Sequence, residues 1–379
     1  MAGIFSRLLE SFAGLALCLT MGCQGKAFYL PAVERHDSSW SQEGGSAAGR
    51  AFVDVELEPP LRLLWQQNIE AAAQGGMRFV GNLALQLTNA PSLYGFDLLS
   101  GRLLGKRGTD VEICAPLALV DDVLVYAELG KKPGLRAFDR VDHEQRWEYP
   151  GVVCVPPIGR HDTLVVAGEE GKLSLLRGSS GEVLWHKKVG RRLRVAPGMG
   201  ANAVYLGTAD GSLVALGLES GEQVWKQTLE SGVRTRVVVG EKWVFTATAS
   251  GVVYALQPDS GEIVWETRLG ALLTPGMALS PLALVVGSVD QNVYGLNPQT
   301  GQVLWQFETG GVVRSTPATT ARIVFCGSSD GFLYALDNAT GQLLWKYRVD
   351  GPILAPVAVG AQVVGITSEK GTLYVFGRP

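Results

Sequence analysis

Histidine side chains are the first candidates for acid–base chemistry or metal binding in this chain. The four histidines, His36, His143, His161 and His186, share no spacing typical of metal ligands. The chain also lacks the phosphate-binding Gly-x-x-x-x-Gly-Lys-Ser/Thr motif and the zinc-binding Cys-x-x-Cys motif. We therefore expect no catalytic residue, no metal site and no cofactor, and we predict a binding protein rather than an enzyme.

Two cysteines have a spacing that could support redox chemistry. Cys114 and Cys154 are 40 residues apart, and each lies two residues before a proline, so they occupy equivalent positions of a repeat. Equivalent positions of neighbouring repeats come close together, and a disulfide forms if the Cα atoms lie within about 7 Å. The alternative is a pair of buried thiols, which pack as small apolar groups. The sequence leaves both open.

Arginine recurs at one position of the chain. Arg194, Arg234 and Arg314 each follow a tryptophan by nine residues, and Arg191 and Arg192 add to the positive charge before the first of them. The planar guanidinium group binds carboxylates and stacks on aromatic rings, and arginine is therefore common in interfaces. These side chains form either a docking surface or a solvated rim that nearby acids neutralise. Ion pairs in such a rim contribute little to stability.

A repeat of about 40 residues must position these side chains. Five similar segments end in tryptophans at a constant spacing of 40, namely Trp185, Trp225, Trp265, Trp305 and Trp345. Related segments end at Trp65 and Trp147, and a degenerate copy has Gly105 where the tryptophan would stand. Each copy contains alternating β-formers and Gly-containing turns, enough for four short strands. This pattern is the signature of a β-propeller blade, and each tryptophan is expected to pack between adjacent blades.

The number of copies predicts a closed, all-β propeller over residues 61–379, with eight four-stranded antiparallel blades. The first copy contains only a fourth strand, and the last copy ends after its third strand. We predict that 61–69 pairs with 372–376, so that both ends of the chain complete one blade and no sheet edge stays exposed. Prolines recur in the first strand of the copies, which fits an edge strand lining the central channel.

The N-terminal residues read as a targeting region. Residues 1–23 have Arg7 followed by an apolar stretch too short to span a bilayer, which is typical of an export signal. The segment Leu19-Thr20-Met21-Gly22-Cys23 resembles a bacterial lipobox, which implies lipidation of Cys23 and an acyl anchor in outer-membrane lipid. Residues 24–60 are rich in Ser, Gly, Gln and Glu, and we expect a flexible tether. The net charge of −3 argues against nucleic acid as a partner.

The pattern [LV]-Y-A-L-x-x-x-[ST]-G-x-x-x-W, repeated through residues 62–377, resembles the quinoprotein-type propeller repeat. With a lipobox and a single propeller, the chain resembles the BamB family of outer-membrane β-barrel assembly lipoproteins. The resemblance implies a scaffold on the periplasmic face of the outer membrane, whose inter-blade loops bind a POTRA domain of the barrel insertase BamA.

The resemblance also implies which residues bind the partner. Leu193-Arg194, before Pro197, matches a Leu-Arg pair in a functional loop of the family. The chain departs from the family at Arg191, where the family has leucine, and at 230–234, which lacks the family's acidic pair. The partner-binding residues predicted on this basis and on the basic rim are Arg191, Arg192, Leu193, Arg194, Arg234 and Arg314.

Two other classes of protein remain possible on the sequence. Quinone-dependent dehydrogenases share the repeat, but they are longer, carry two adjacent cysteines and need calcium-binding acids, and no Cys-Cys pair occurs here. The second alternative class is a ligand- or glycan-binding propeller lipoprotein without an assembly role.

Overall fold

The structure is a computed structural model that describes residues 40–69, 71–90, 92–108, 111–168, 170–190 and 193–378. These residues form 32 strands, arranged in eight four-stranded antiparallel sheets. Within the described ranges, no helix is long and apolar enough to cross a bilayer.

Seven blades use consecutive strands, and the eighth uses both ends of the chain. The first strand is β1 (Arg62–Asn68). Blade 1 contains β2 (Arg78–Val80), β3 (Leu83–Thr88), β4 (Ser92–Asp97) and β5 (Leu103–Gly108). Blade 2 contains β6 (Ile113–Val120), β7 (Val123–Glu128), β8 (Gly134–Asp139) and β9 (Gln145–Pro150). Blade 3 contains β10 (Ile158–Arg160), β11 (Thr163–Ala167), β12 (Lys172–Arg177) and β13 (Val183–Lys188).

The remaining blades follow the same plan. Blade 4 contains β14 (Gly198–Met199), β15 (Ala203–Gly207), β16 (Ser212–Gly217) and β17 (Gln223–Thr228). Blade 5 contains β18 (Val238–Val239), β19 (Val244–Ala247), β20 (Val252–Leu256) and β21 (Ile263–Arg268). Blade 6 contains β22 (Leu273–Leu279), β23 (Leu284–Ser288), β24 (Asn292–Leu296) and β25 (Val303–Glu308). Blade 7 contains β26 (Ala318–Thr319), β27 (Ile323–Gly327), β28 (Phe332–Asp337) and β29 (Leu343–Arg348). Blade 8 contains β30 (Ala358–Val359), β31 (Val363–Thr367), β32 (Thr372–Gly377) and β1.

The ring closes as the sequence predicts. Strand β1 pairs antiparallel with β32, from Arg62 opposite Gly377 to Asn68 opposite Thr372. The first strand of blade 1, β2, contacts the first strand of blade 8, β30, just as the inner strands of other neighbouring blades contact one another. The predicted eight-bladed fold and its closure by both ends of the chain are therefore confirmed.

The repeat tryptophans join one blade to the next. Most are largely buried, and six donate their indole N–H to a backbone carbonyl of the following blade over 2.7–3.1 Å: Trp65, Trp147, Trp185, Trp225, Trp265 and Trp305. Each lies against the glycine of that blade's last turn; at Gly341, where φ is +70°, a Cβ atom would stand 2.7 Å from Trp305. The predicted wedge between blades is therefore confirmed, and it explains why this turn position is glycine.

Residues 40–53 form a segment that we call the plug, because it crosses one end of the central channel. One equivalent backbone N–H in each of blades 1 to 7 donates to the plug over 2.7–3.0 Å: Phe79, Leu119, Gly159, Met199, Val239, Leu279 and Thr319. Six of the acceptors are plug carbonyl oxygens, and the one for Gly159 is the side-chain oxygen of Gln42. The plug thus satisfies a ring of inner-strand donors that would otherwise face an empty channel.

The expectation of a flexible tether over 24–60 is wrong for residues 40–60. Trp40 and Leu57 are each 1% exposed, and Ala51 is fully buried against blade 7. The tether prediction followed from polar composition, whereas the plug is fixed mainly by backbone hydrogen bonds, which leave little trace in composition. The folded part therefore includes Trp40 rather than beginning at residue 61, and residues 24–39 lie outside the described residues.

Candidate functional site

The central channel is open at one end and closed at the other. The loops between blades share an end with the turns between second and third strands, because Leu229 N–H donates to Gly211 and Val349 N–H donates to Gly331, over 2.7 and 2.8 Å. The plug binds inner strands at the opposite end, where Met199 leads directly into the next turn. The channel is thus a blind cup that opens among the inter-blade loops, the side on which the basic residues were predicted.

The cup has a volume of about 600 Å³, within the roughly 300–1,000 Å³ usual for ligand sites. Its walls carry small apolar residues of the inner strands and turns, including Pro156, Ala196, Ala209, Ala249 and Pro275. Charged groups lie at its two ends: Arg194 and Arg234 at the mouth, and Glu43 of the plug with Arg236 at the floor. The arrangement places positive charge along an otherwise apolar, narrow space.

The three predicted arginines are exposed at the open end. Arg194, Arg234 and Arg314 occupy the same repeat position of blades 4, 5 and 7, and none forms an ion pair with another described residue. An acid on this end does pair elsewhere, since Glu230 binds Arg268 at 2.5 Å. The alternative of a self-neutralised rim therefore does not describe these three side chains.

Leu193 does not belong to the exposed set. It is 1% exposed and packs between blades 3 and 4, in a repeat position that also holds Val153, Val233, Val313 and Ile353. An aliphatic side chain at this position closes the core where the chain enters each inner strand, so Leu193 cannot offer its side chain to a partner. Its place in the predicted partner-binding set is corrected accordingly. Arg191 and Arg192 lie outside the described residues.

The floor of the cup holds two buried arginines around one carboxylate. Arg78 and Arg236 are 1% and 5% exposed, and their Nη2 atoms lie 3.7 and 3.4 Å from the two oxygens of Glu43. Arg236 also donates to the Glu43 carbonyl oxygen, and its guanidinium group fills the space left by Gly44 and Gly49. Burial and the neighbouring Arg236 lower the pKa of Arg78 to about 10, while Glu43 acts in the opposite direction. At neutral pH the cluster carries one excess positive charge.

Cys114 and Cys154 form a disulfide, with Cα atoms 5.0 Å apart. They occupy in blades 2 and 3 the repeat position that carries arginine in blades 4, 5 and 7. The bridge therefore links two neighbouring inner strands at the open end, and it resolves the alternative that the sequence left open. Cys326 is a fully buried free thiol in the core.

The three histidines of the described residues are not grouped in one place, and His36 lies outside those residues. His143 is 1% exposed beside Phe138, and burial lowers its pKa to about 4, while His161 and His186 belong to blade 3. In the described ranges no three His, Cys, Asp or Glu side chains are grouped as metal ligands. Residues 327–331, Gly-Ser-Ser-Asp-Gly, have the spacing of a Ser-hydrolase motif, but they form a turn between two strands rather than the strand-to-helix turn of those enzymes.

Sequence reasoning missed Glu43, Arg78 and Arg236. A signal for Arg236 exists in the repeat alignment, because the equivalent positions hold small residues or proline: Gly76, Pro116, Pro156, Ala196, Gly276, Thr316 and Pro356. Arg78 likewise replaces small or aliphatic residues at its repeat position. An arginine where other copies keep a small residue indicates a place where the ring has lost its symmetry.

Fold and site together define a repeat propeller whose channel is closed by the plug at one end and carries basic residues at the other. The chain belongs to the family described as outer membrane protein assembly factor BamB, because that family's model matches residues 57–195, 150–228, 209–352 and 289–377. No curated protein sequence matches the chain.

Solved structures share the fold at low sequence identity. BamB from Moraxella catarrhalis is 19% identical, with a TM-score of 0.70, over 84% of this chain and 99% of that one. The computationally designed Ika8 protein is 18% identical, with a TM-score of 0.74, over 82% and 98% of the two chains. A europium-containing methanol dehydrogenase is 13% identical, with a TM-score of 0.77, over 90% and 98%. These likenesses establish the propeller architecture, which scaffolds and dehydrogenases have in common.

Proposed function

We propose that the protein is a scaffold of the outer-membrane β-barrel assembly machinery, and that its open end binds a POTRA domain of a BamA-like barrel insertase. Membership of the assembly-factor family supports the assembly role. We infer the location of the binding surface from three exposed arginines, Arg194, Arg234 and Arg314. They have no acidic partner among the described residues.

The arginines suit a docking surface for physical reasons. Each lies in an inter-blade loop directly after a buried aliphatic residue, which anchors its backbone before a partner arrives, so less entropy is lost on binding. Their charges are exposed and unpaired, so an acidic partner surface would gain both steering and charge-assisted hydrogen bonds. Leu272, which is 44% exposed on the same end, offers apolar area beside them.

Charge reversal at the open end tests this proposal. We expect the triple substitution Arg194→Glu, Arg234→Glu and Arg314→Glu to weaken binding of a purified POTRA-domain array by at least about tenfold, equivalent to about 1.4 kcal/mol. The binding of the wild-type protein should also weaken as salt rises. Calorimetric titration measures both effects.

A matched control is Arg102→Glu, an exposed arginine in a turn at the closed end. It reverses one charge on the opposite side of the ring and should leave the affinity unchanged. Normal binding by the triple variant, or an equal loss with Arg102→Glu, would contradict the assignment of the surface.

We also propose that Cys23 is lipidated and anchors the protein to the periplasmic face of the outer membrane. The support is the lipobox-like segment before Cys23, together with the membership of an outer-membrane assembly family. We expect Cys23→Ser to release the protein from sedimented membranes, whereas Cys18→Ser, in the same segment, should leave it there. Mass spectrometry of the mature N-terminus provides the second readout. Equal sedimentation of both variants would refute the anchor.

A further inference from the structure

We propose that the blind cup is a ligand site for a carboxylate group, which enters through the open end and binds Arg236 at the floor. The proposal goes beyond the scaffold function, because it concerns the interior of the channel rather than its outer rim, and it needs no partner protein.

Unused hydrogen-bonding capacity at the floor is the first argument. Arg236 lines the cup and is only 5% exposed, yet its Nε has no hydrogen-bond partner among the described residues. Nη2 of Arg78 and one oxygen of Glu43 also lack hydrogen-bond partners there, since their mutual distance of 3.7 Å is too long. Buried polar atoms are almost always paired, so the two unpaired N–H donors, Arg236 Nε and Arg78 Nη2, indicate a missing acceptor.

Charge decides which kind of group fits. Two guanidinium groups and one carboxylate leave a single excess positive charge, which a monoanion would neutralise. Burial lowers the pKa of Arg78, and repulsion from Arg236 lowers it further. A carboxylate has one charge and two oxygens in the plane that an arginine fork recognises, whereas a phosphate dianion would leave the buried cluster negative.

The shape of the cup and the charges at its mouth also suit a ligand with a carboxylate group. The walls consist of small side chains such as Ala196, Ala209 and Gly276, so the space admits an extended apolar body behind the carboxylate. Arg194 and Arg234 flank the entrance, where their charges raise the local concentration of anions. Two kinds of ligand could supply this carboxylate: a small organic acid, or the C-terminus of a peptide chain.

Titration of the full-length protein with simple probes tests the site. The probes are N-acetyl-tetra-alanine with a free carboxylate, the same peptide as its C-terminal amide, butyrate and inorganic phosphate, each followed by calorimetry up to millimolar concentrations. We expect a carboxylate probe to bind and the amide not to bind. Binding of the free-acid peptide assigns a chain end as the source, and binding of butyrate without the peptide assigns a small acid. Equal binding of acid and amide, preference for phosphate, or no binding by any probe would overturn the proposal.

Substitutions localise the binding. We expect Arg236→Gln to weaken binding of the carboxylate probe by about tenfold or more, since hydrogen bonds between charged groups are among the strongest in proteins. Because Arg236 is packed against the plug, this variant can fail to fold. Arg234→Gln, at the exposed mouth, should weaken binding about threefold without unfolding and should reduce its salt dependence. Arg322→Gln, an exposed arginine at the closed end, is the control. Unchanged affinity in both Arg234→Gln and a folded Arg236→Gln contradicts the site.

Discussion

Replacement of Trp305 by alanine should lower the free energy of unfolding by about 3–5 kcal/mol, the usual range for a buried aromatic side chain. Trp305 is 6% exposed, and its indole N–H donates to the Asn338 carbonyl at 3.0 Å. Its ring lies against Gly341 of the next blade, which has no side chain of its own to fill the space. The change removes the main contact between the outer parts of blades 7 and 6, and denaturant unfolding followed by tryptophan fluorescence measures it.

Trp345→Ala provides the comparison within the same repeat. Trp345 holds the equivalent position in blade 7, but the next blade takes its outer strand from β1, so no last turn faces the ring. It is only partly buried, and its indole N–H donates to no described residue, although the ring packs at 5.6 Å from Phe376. We expect Trp345→Ala to lower the free energy of unfolding less than Trp305→Ala does. The hydrogen bond that Trp345 lacks accounts for about 1 kcal/mol of this difference. Equal losses at both positions would show that the inter-blade contact does not determine stability.

Glu43→Gln should lower the free energy of unfolding by about 3 kcal/mol. The substitution keeps the size of the side chain but leaves Arg78 and Arg236 without their shared counter-charge, and breaking a buried pair costs about 3–5 kcal/mol. The lower end applies because Glu43 keeps a fifth of its side-chain surface exposed. Thermal or denaturant unfolding at neutral pH measures the change.

Glu58→Gln is the matched control for this prediction. Glu58 pairs with Arg322 at 2.6 Å at the surface, with side chains 52% and 73% exposed, and such pairs contribute about 0–1 kcal/mol. A second test is the double variant Glu43→Gln and Arg236→Met, which removes one of the unpaired charges and should recover part of the loss. If Glu43→Gln behaves like Glu58→Gln, the floor cluster does not depend on ion pairing.

The sequence predicted the ring because the same local physics is repeated in every blade. A tryptophan at a spacing of 40, a glycine turn and alternating β-formers specify one blade, and the incomplete first and last copies specify the closure. The tryptophan wedge, the inner-strand prolines and the exposed positions of Arg194, Arg234 and Arg314 follow from the same alignment. Leu193 was misplaced because a family motif was given priority over its own repeat position, which is aliphatic in the other blades.

Features that occur once could not be predicted in this way. The plug has no second copy for comparison, and its hydrogen bonds join residues from 39 to 268 positions apart in the chain. The Glu43 cluster depends on the plug, so Arg78 and Arg236 had no recognisable partner in the sequence. For the Cys114–Cys154 bridge the spacing indicated equivalent positions, but the distance between neighbouring inner strands was needed to decide.

The plug also has a consequence for the order in which the molecule can be made. Ala51 accepts a hydrogen bond from Thr319, which lies 268 positions later in the chain. At synthesis rates of about 5–20 residues per second, roughly 15 to 50 seconds separate the appearance of these two residues. During that interval Trp40 has no completed ring to cover it, so the nascent chain exposes an aromatic segment at its leading end. The plug can therefore complete its hydrogen bonds only after the seventh blade exists.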